Sequence, residues 1–154
     1  MAQESVGDII HQLENAHSQM EVALDGVSED DLHNAPASEW SIAEICAHVI
    51  EMGPMWMSKV LDIDNVPDLE RTSKEIDRRT AEVTAHSSDD LSTIMQRMAS
   101  AHEETMRLAQ QIDSAHMGKL TNLGTVGEAI TDKLVAHVIE HAEQIKATRV
   151  SATK

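Results

Sequence analysis

Two histidines four residues apart, His137 and His141, interrupt the otherwise aliphatic stretch from Leu134 to Ile145. Four residues advance an α-helix by about 400°, so the two imidazoles lie roughly 40° apart around the axis and about 6 Å apart along it. On a helical wheel they share an inward-facing arc with Ile130, Leu134, Ile145 and Thr148. One buried neutral imidazole is readily satisfied by a backbone carbonyl. Two side by side each need a partner for a lone pair, and a divalent metal meets that need. A third ligand must come from elsewhere in the chain. His48 is a candidate: it has Ile45 and Met52 on one side and Glu44 and Glu51 on the other, where an apolar helix face meets a carboxylate-bearing one. A lone helix histidine is ordinarily a boundary residue, and His48 is singled out only because of the downstream pair. His102, at the edge of another apolar stripe, is the best candidate for a fourth ligand. His11 and His17 read as surface and packing residues.

The elements that must position these residues are helices. Val6, Ile9, Leu13, Ala16, Met20 and Leu24 recur at three- and four-residue steps, which predicts a first long helix near 5–25. Ser28 to Asp31 has the form of a cap and an acidic first turn, predicting a short helical turn that ends near Pro36. Ser41 with Glu44 forms a capping box, and Trp40 with Ile45 a hydrophobic staple, so a second long helix is expected over 41–61. Gly53-Pro54 is expected to kink or interrupt it, because proline lacks an N–H and crowds the carbonyl of Ile50. Leu69, Ile76 and Val83, beyond a loop at Pro67, predict a thin and mostly exposed minor helix within 68–84. Arg78 and Arg79 are expected to form a solvated, salt-bridging face there. A third long helix follows Ser87 and Ser88 over 88–112. Asp113 to Leu123 reads as a connection, and Thr125 with Glu128 caps a last helix over 125–150. The expected fold is all-α, a four-helix bundle with a minor extra helix in a single domain spanning 1–154.

Composition narrows the function classes. Phe and Tyr are absent and Trp40 and Trp56 are the only aromatics, which argues against a β-sandwich or barrel. Twenty-seven acidic residues against twelve basic give a formal charge of −15, so the average surface repels phosphate, and nucleic acid and anionic membranes are unfavourable partners. The early residues lack a basic segment followed by an apolar run, and no stretch approaches ~18 apolar residues. The expectation is a cytoplasmic protein. Cys46 is alone and faces away from His48, so neither a disulfide nor a Cys-His chelate on one helix is expected.

WSIAEICAHVIE, from Trp40 to Glu51, taken with HVIEHAEQI, from His137 to Ile145, resembles the DinB-like, or YfiT-like, family of metal-dependent helical bundles. In that family one histidine follows a Trp-Ser-x-x-Glu motif on the second helix and two more, spaced by four, lie on the last. The resemblance places a metal triad on His48, His137 and His141. The preceding VSEDDLHNAP also fits the family, whereas Gly53-Pro54 departs from it. Three neutral imidazoles leave a coordination position open, an arrangement suited to catalysis. Zinc is the first expectation, with nickel, iron or manganese as alternatives. The family implies a small-molecule substrate and transfer of a low-molecular-weight thiol to an electrophile; metal-dependent hydrolysis and a non-catalytic metal-binding or stress-response role are the alternatives. Glu44 and Glu51 are the candidate proton-transfer residues. A homodimer is expected from the resemblance and from Val135, Ile139 and Ala142, which extend the apolar arc of the last helix.

Overall fold

The structure is a computed structural model that describes residues 5–35, 39–65 and 68–152. Its helices are α1 (Val6–Leu24), α2 (Glu29–His33), α3 (Ile42–Leu61), α4 (Ser73–His86), α5 (Leu91–Ala109), α6 (Ser114–Met117) and α7 (Val126–Ala129). A π-helical turn, Ile130–Val135, then runs into α8 (Ala136–Ala152). Reciprocal capping boxes start α1, α2, α3, α4 and α7, pairing Ser5 with Asp8, Ser28 with Asp31, Ser41 with Glu44, Thr72 with Glu75 and Thr125 with Glu128. Each satisfies two backbone N–H groups that a helix start leaves open, so these boundaries are written locally.

The four long helices pack in a ring. Helix α3 lies along α5 and α1 along α8, while contacts of α1 with α5 and of α3 with α8 close the bundle. Helix α4 packs on the outer side of α3. One apolar cluster contains Ile9, Leu13, Met57, Val60 and Ile130; the other contains Met20, Leu24, Ile45, Ile94 and Ile145. Among the described residues no helix is long and apolar enough to cross a membrane.

Several expectations change. Helix α3 continues through Pro54 without interruption. Met52 and Met57, buried on either side of the proline, hold both halves against neighbouring helices, and that packing outweighs the one backbone bond proline forfeits. Helix α5 starts at Leu91 because Asp90, rather than Ser87 or Ser88, accepts from the Thr93 N–H at 2.8 Å. The expected connection over 113–123 contains α6 and begins a two-residue hairpin, β1 (Leu120–Thr121) paired antiparallel with β2 (Gly124–Thr125). Gly124, at φ +101°, permits that reversal, and Asn122 in the turn accepts from the Leu69 N–H at 2.7 Å. The hairpin thereby ties the entry to α4 onto the end of the bundle. Pro36 and Pro67, where turns were expected, lie outside the described residues. Val135 and Ala142 are buried within the chain and Ile139 packs against the core, so the apolar arc that suggested a partner is covered internally.

Gly53 serves close packing. A Cβ there would stand 2.7 Å from Thr105 Oγ1 on α5, whose hydroxyl donates to the Ala101 carbonyl at 2.8 Å. A β-branched side chain within a helix has little rotamer freedom with which to withdraw. Gly53→Ala is therefore expected to lower unfolding stability by about 1–3 kcal/mol despite alanine's better helix propensity. In Gly53→Ala/Thr105→Ala most of that loss should return, and urea melts of both variants decide it.

Candidate metal centre

Helices α3 and α8 bring the three histidines together along one seam. His48, on α3, is 6% exposed and meets the half-buried His141 of α8 edge-on, with ring centroids 5.0 Å apart and planes at 86°. His137, one turn before His141, has its ring centroid 5.5 Å from that of His141. On the other side of His48 stands Trp40, at 5.4 Å between centroids. The capping box at Ser41 fixes the start of α3, and hence where His48 falls along the helix.

His137 does not face inward as expected; it is exposed. The buried side of α8 includes Ala142, Ile145 and Thr148, and at about 100° per residue its centre lies beyond the histidine seam. His141 is thereby left at the edge of the buried arc and His137 at its rim. Among the described residues no three His, Cys, Asp or Glu side chains converge closely enough to hold one ion as they stand.

Two ring nitrogens nevertheless lack what burial demands. His141 Nδ1 lies 2.9 Å from Gln144 Oε1 and donates to it, which assigns the proton to Nδ1 and leaves the lone pair on Nε2. That Nε2 is buried with no hydrogen-bond partner, and so is His48 Nδ1. Leaving such atoms unsatisfied costs about 1–3 kcal/mol each. Burial also keeps both rings neutral. It is the main reason the His48 pKa is pushed down to about 3, with Coulombic repulsion from the side of His141, Arg71, Arg79 and His137 adding to it. His141 is likewise lowered, chiefly by burial, although its bond to Gln144 opposes the shift. Neutral imidazoles with enclosed, unpartnered nitrogens are the chemistry a divalent metal requires, so the donor set fits such an ion.

The remaining candidates have other attachments. Glu44 accepts from the Ser41 N–H at 3.0 Å. Glu51 is clasped by Arg71 through two bonds of 2.6 and 3.0 Å, with side chains only 6% and 13% exposed respectively. His102 is not beside the triad; it stacks on His17 across α1 and α5, with centroids 4.0 Å apart and planes at 4°. Cys46 is fully buried, and burial raises its thiol to about 12, which removes it as a nucleophile. Sequence reasoning missed Gln144 and Arg71. The i, i+3 spacing of His141 and Gln144 was a usable signal. Nothing in the chain order pairs Arg71 with a carboxylate twenty residues earlier.

A family model described as mycothiol-S-transferase matches residues 8–149. This is a DinB/YfiT-like family, in agreement with the resemblance drawn from the two histidine motifs. No curated protein and no solved structure gave a match.

The depressed His48 pKa has a pH signature. Unfolded chain takes up this proton as pH falls through the ordinary value of 6.5, whereas folded protein refuses it until about 3. Stability present above 6.5 is thus lost progressively below it, at up to about 1.4 kcal/mol per pH unit for the one proton. With a chelator present, His48→Gln should flatten the stability profile between about pH 6 and pH 4 by close to that slope. Parallel profiles for the variant and the parent would contradict it.

Proposed function

The chain belongs to the mycothiol S-transferase family, and we propose that it transfers a low-molecular-weight thiol to a small electrophile at a divalent metal held by His48, His137 and His141. The observation that carries the metal assignment is the pair of buried, unpartnered nitrogens on His48 and His141. Zinc is the expected ion, with nickel, iron or manganese as the alternatives for an all-imidazole site. When bound, the metal would supply positive charge that favours thiolate over thiol at neutral pH.

The chain's own residues do the rest. Gln144 holds His141 in the tautomer that exposes Nε2, and burial keeps His48 and His141 uncharged so that neither must lose a proton first. His137, on the exposed rim, marks the side from which thiol and electrophile approach. The thiol S–H bond breaks, its proton passes to water on that side, and the sulfur's electron pair forms the new bond to the electrophilic carbon as the leaving group departs. Glu44 and Glu51 are assigned to positioning α3, since each carboxylate is already occupied, one at the cap and the other by Arg71. With Cys46 buried and protonated, no thiol on the chain competes with the incoming one.

Protein purified without a metal-affinity tag is expected to carry close to one equivalent of divalent metal per chain, and His141→Ala to lose most of it. Gln144→Ala should weaken metal binding by about 10–100-fold while retaining the ligands. Trp40, beside His48, gives a fluorescence readout for that titration. Thiol conjugation to an electrophile should fall with the metal in each variant. Metal-loaded protein that conjugates no thiol, or a His48→Ala variant as active as the parent, would refute the assignment.

A further inference from the structure

Outside the histidine seam, two arginines on α4, the exposed Arg78 and the half-buried Arg79, stand out in an acidic chain. Arg71, Arg97 and Arg107 each hold a carboxylate, from Glu51, from Glu82 with Asp89, and from Glu104 respectively. Arg78 and Arg79 make no ion pair among the described residues, although the chain has 27 acidic residues to choose from. The salt-bridging face expected of them is absent. Arg78 lines a groove of about 460 Å³ between α3 and α4, whose α3 side is formed in part by Ile50, Pro54 and Met55. Three carboxylates line it, Glu51, Glu75 and Glu82, against four cations, Lys59, Arg71, Arg78 and Arg97. The groove's uncompensated charge is therefore positive, within a molecule of formal charge −15. Arg79, the next residue on α4, is half-buried and does not line the groove.

We propose that this α3–α4 groove is a binding site for an organic carboxylate, with Arg78 as its cationic partner and the apolar α3 side chains receiving the ligand's hydrocarbon part. A guanidinium matches a carboxylate with paired N–H donors, and the volume lies in the range of small-molecule sites. The apolar wall selects an organic anion over inorganic phosphate. Glu51, at the groove, is one turn from His48, so an anion seated there lies beside the histidine seam; this connection rests on the thiol-transfer reading and would make the site a specificity pocket for anionic electrophiles.

The full chain as purified is titrated with sodium phenylacetate, with neutral phenylacetamide and with inorganic phosphate at low salt. Phenylacetate should bind saturably and more tightly than either of the others. Arg78→Gln should weaken it by about tenfold or more. Arg107→Gln, which removes the same charge from α5, should change it by less than about twofold. Circular dichroism verifies that the variants fold. Phosphate binding as tightly as phenylacetate, no saturable binding, or equal losses in both variants would each overturn the proposal. Because the titration needs no turnover, binding without thiol conjugation would leave the groove standing and remove the transfer reading, while conjugation without binding would do the reverse.

Discussion

His48 Nδ1 and His141 Nε2 are enclosed without a partner in a bundle whose other interior contacts are largely apolar, and most of the local architecture serves to hold them there. An unsatisfied polar atom is a direct charge against a folding free energy of only about 5–15 kcal/mol. The surrounding structure sustains it through ordinary means: a capped α3, the second apolar cluster around Ile45 and Ile145, and a glutamine that satisfies the other nitrogen of His141. Consistency fails at one place while it holds elsewhere, and such places are where binding or chemistry is expected.

Electrostatics around the seam work in one direction. Arg71 and Arg79 add positive potential on the α4 side, which disfavours a protonated imidazole at His48 and keeps its lone pair available. The same charges would compete with a metal cation, and the Glu51 carboxylate, held bidentate by Arg71, offsets part of that. The buried pair also fastens the entry to α4 onto α3. Losing one member would strand the other charge in a nearly dry setting, an outcome that costs about 3–5 kcal/mol. The ion pair is therefore as much a structural clamp as an electrostatic device, joining the minor helix to the helix that carries His48.

Two backbone irregularities flank the site. Gly53-Pro54 lies little more than a turn beyond His48 and gives α5 its close approach to α3, while the π turn Ile130–Val135 precedes the helix that carries His137 and His141. A π turn takes in an extra residue relative to an α turn and so resets which side chains face inward after it, and such turns are frequent at functional sites. Neither feature breaks its helix, because Met52, Met57, Leu134 and Val135 are buried against neighbours.

Most of the secondary structure was readable from local chemistry alone. Capping boxes at Ser41 and Thr125 and the three-four spacing of apolar residues depend only on neighbours within a few positions, so the long helices and the all-α class followed directly. The spacing of His137 and His141 was equally local, and it made them a pair before any fold was known. What only the assembled bundle decided were contacts between residues remote in the chain: His48 against His141, Arg71 on Glu51, His102 stacked on His17 instead of joining the triad. The depth of His137 and the continuity of α3 through Pro54 belong to the same class. Helix periodicity states which residues share a face, but how far that face is buried, and which charges meet across it, depends on how neighbouring helices pack, and that is a property of the whole chain.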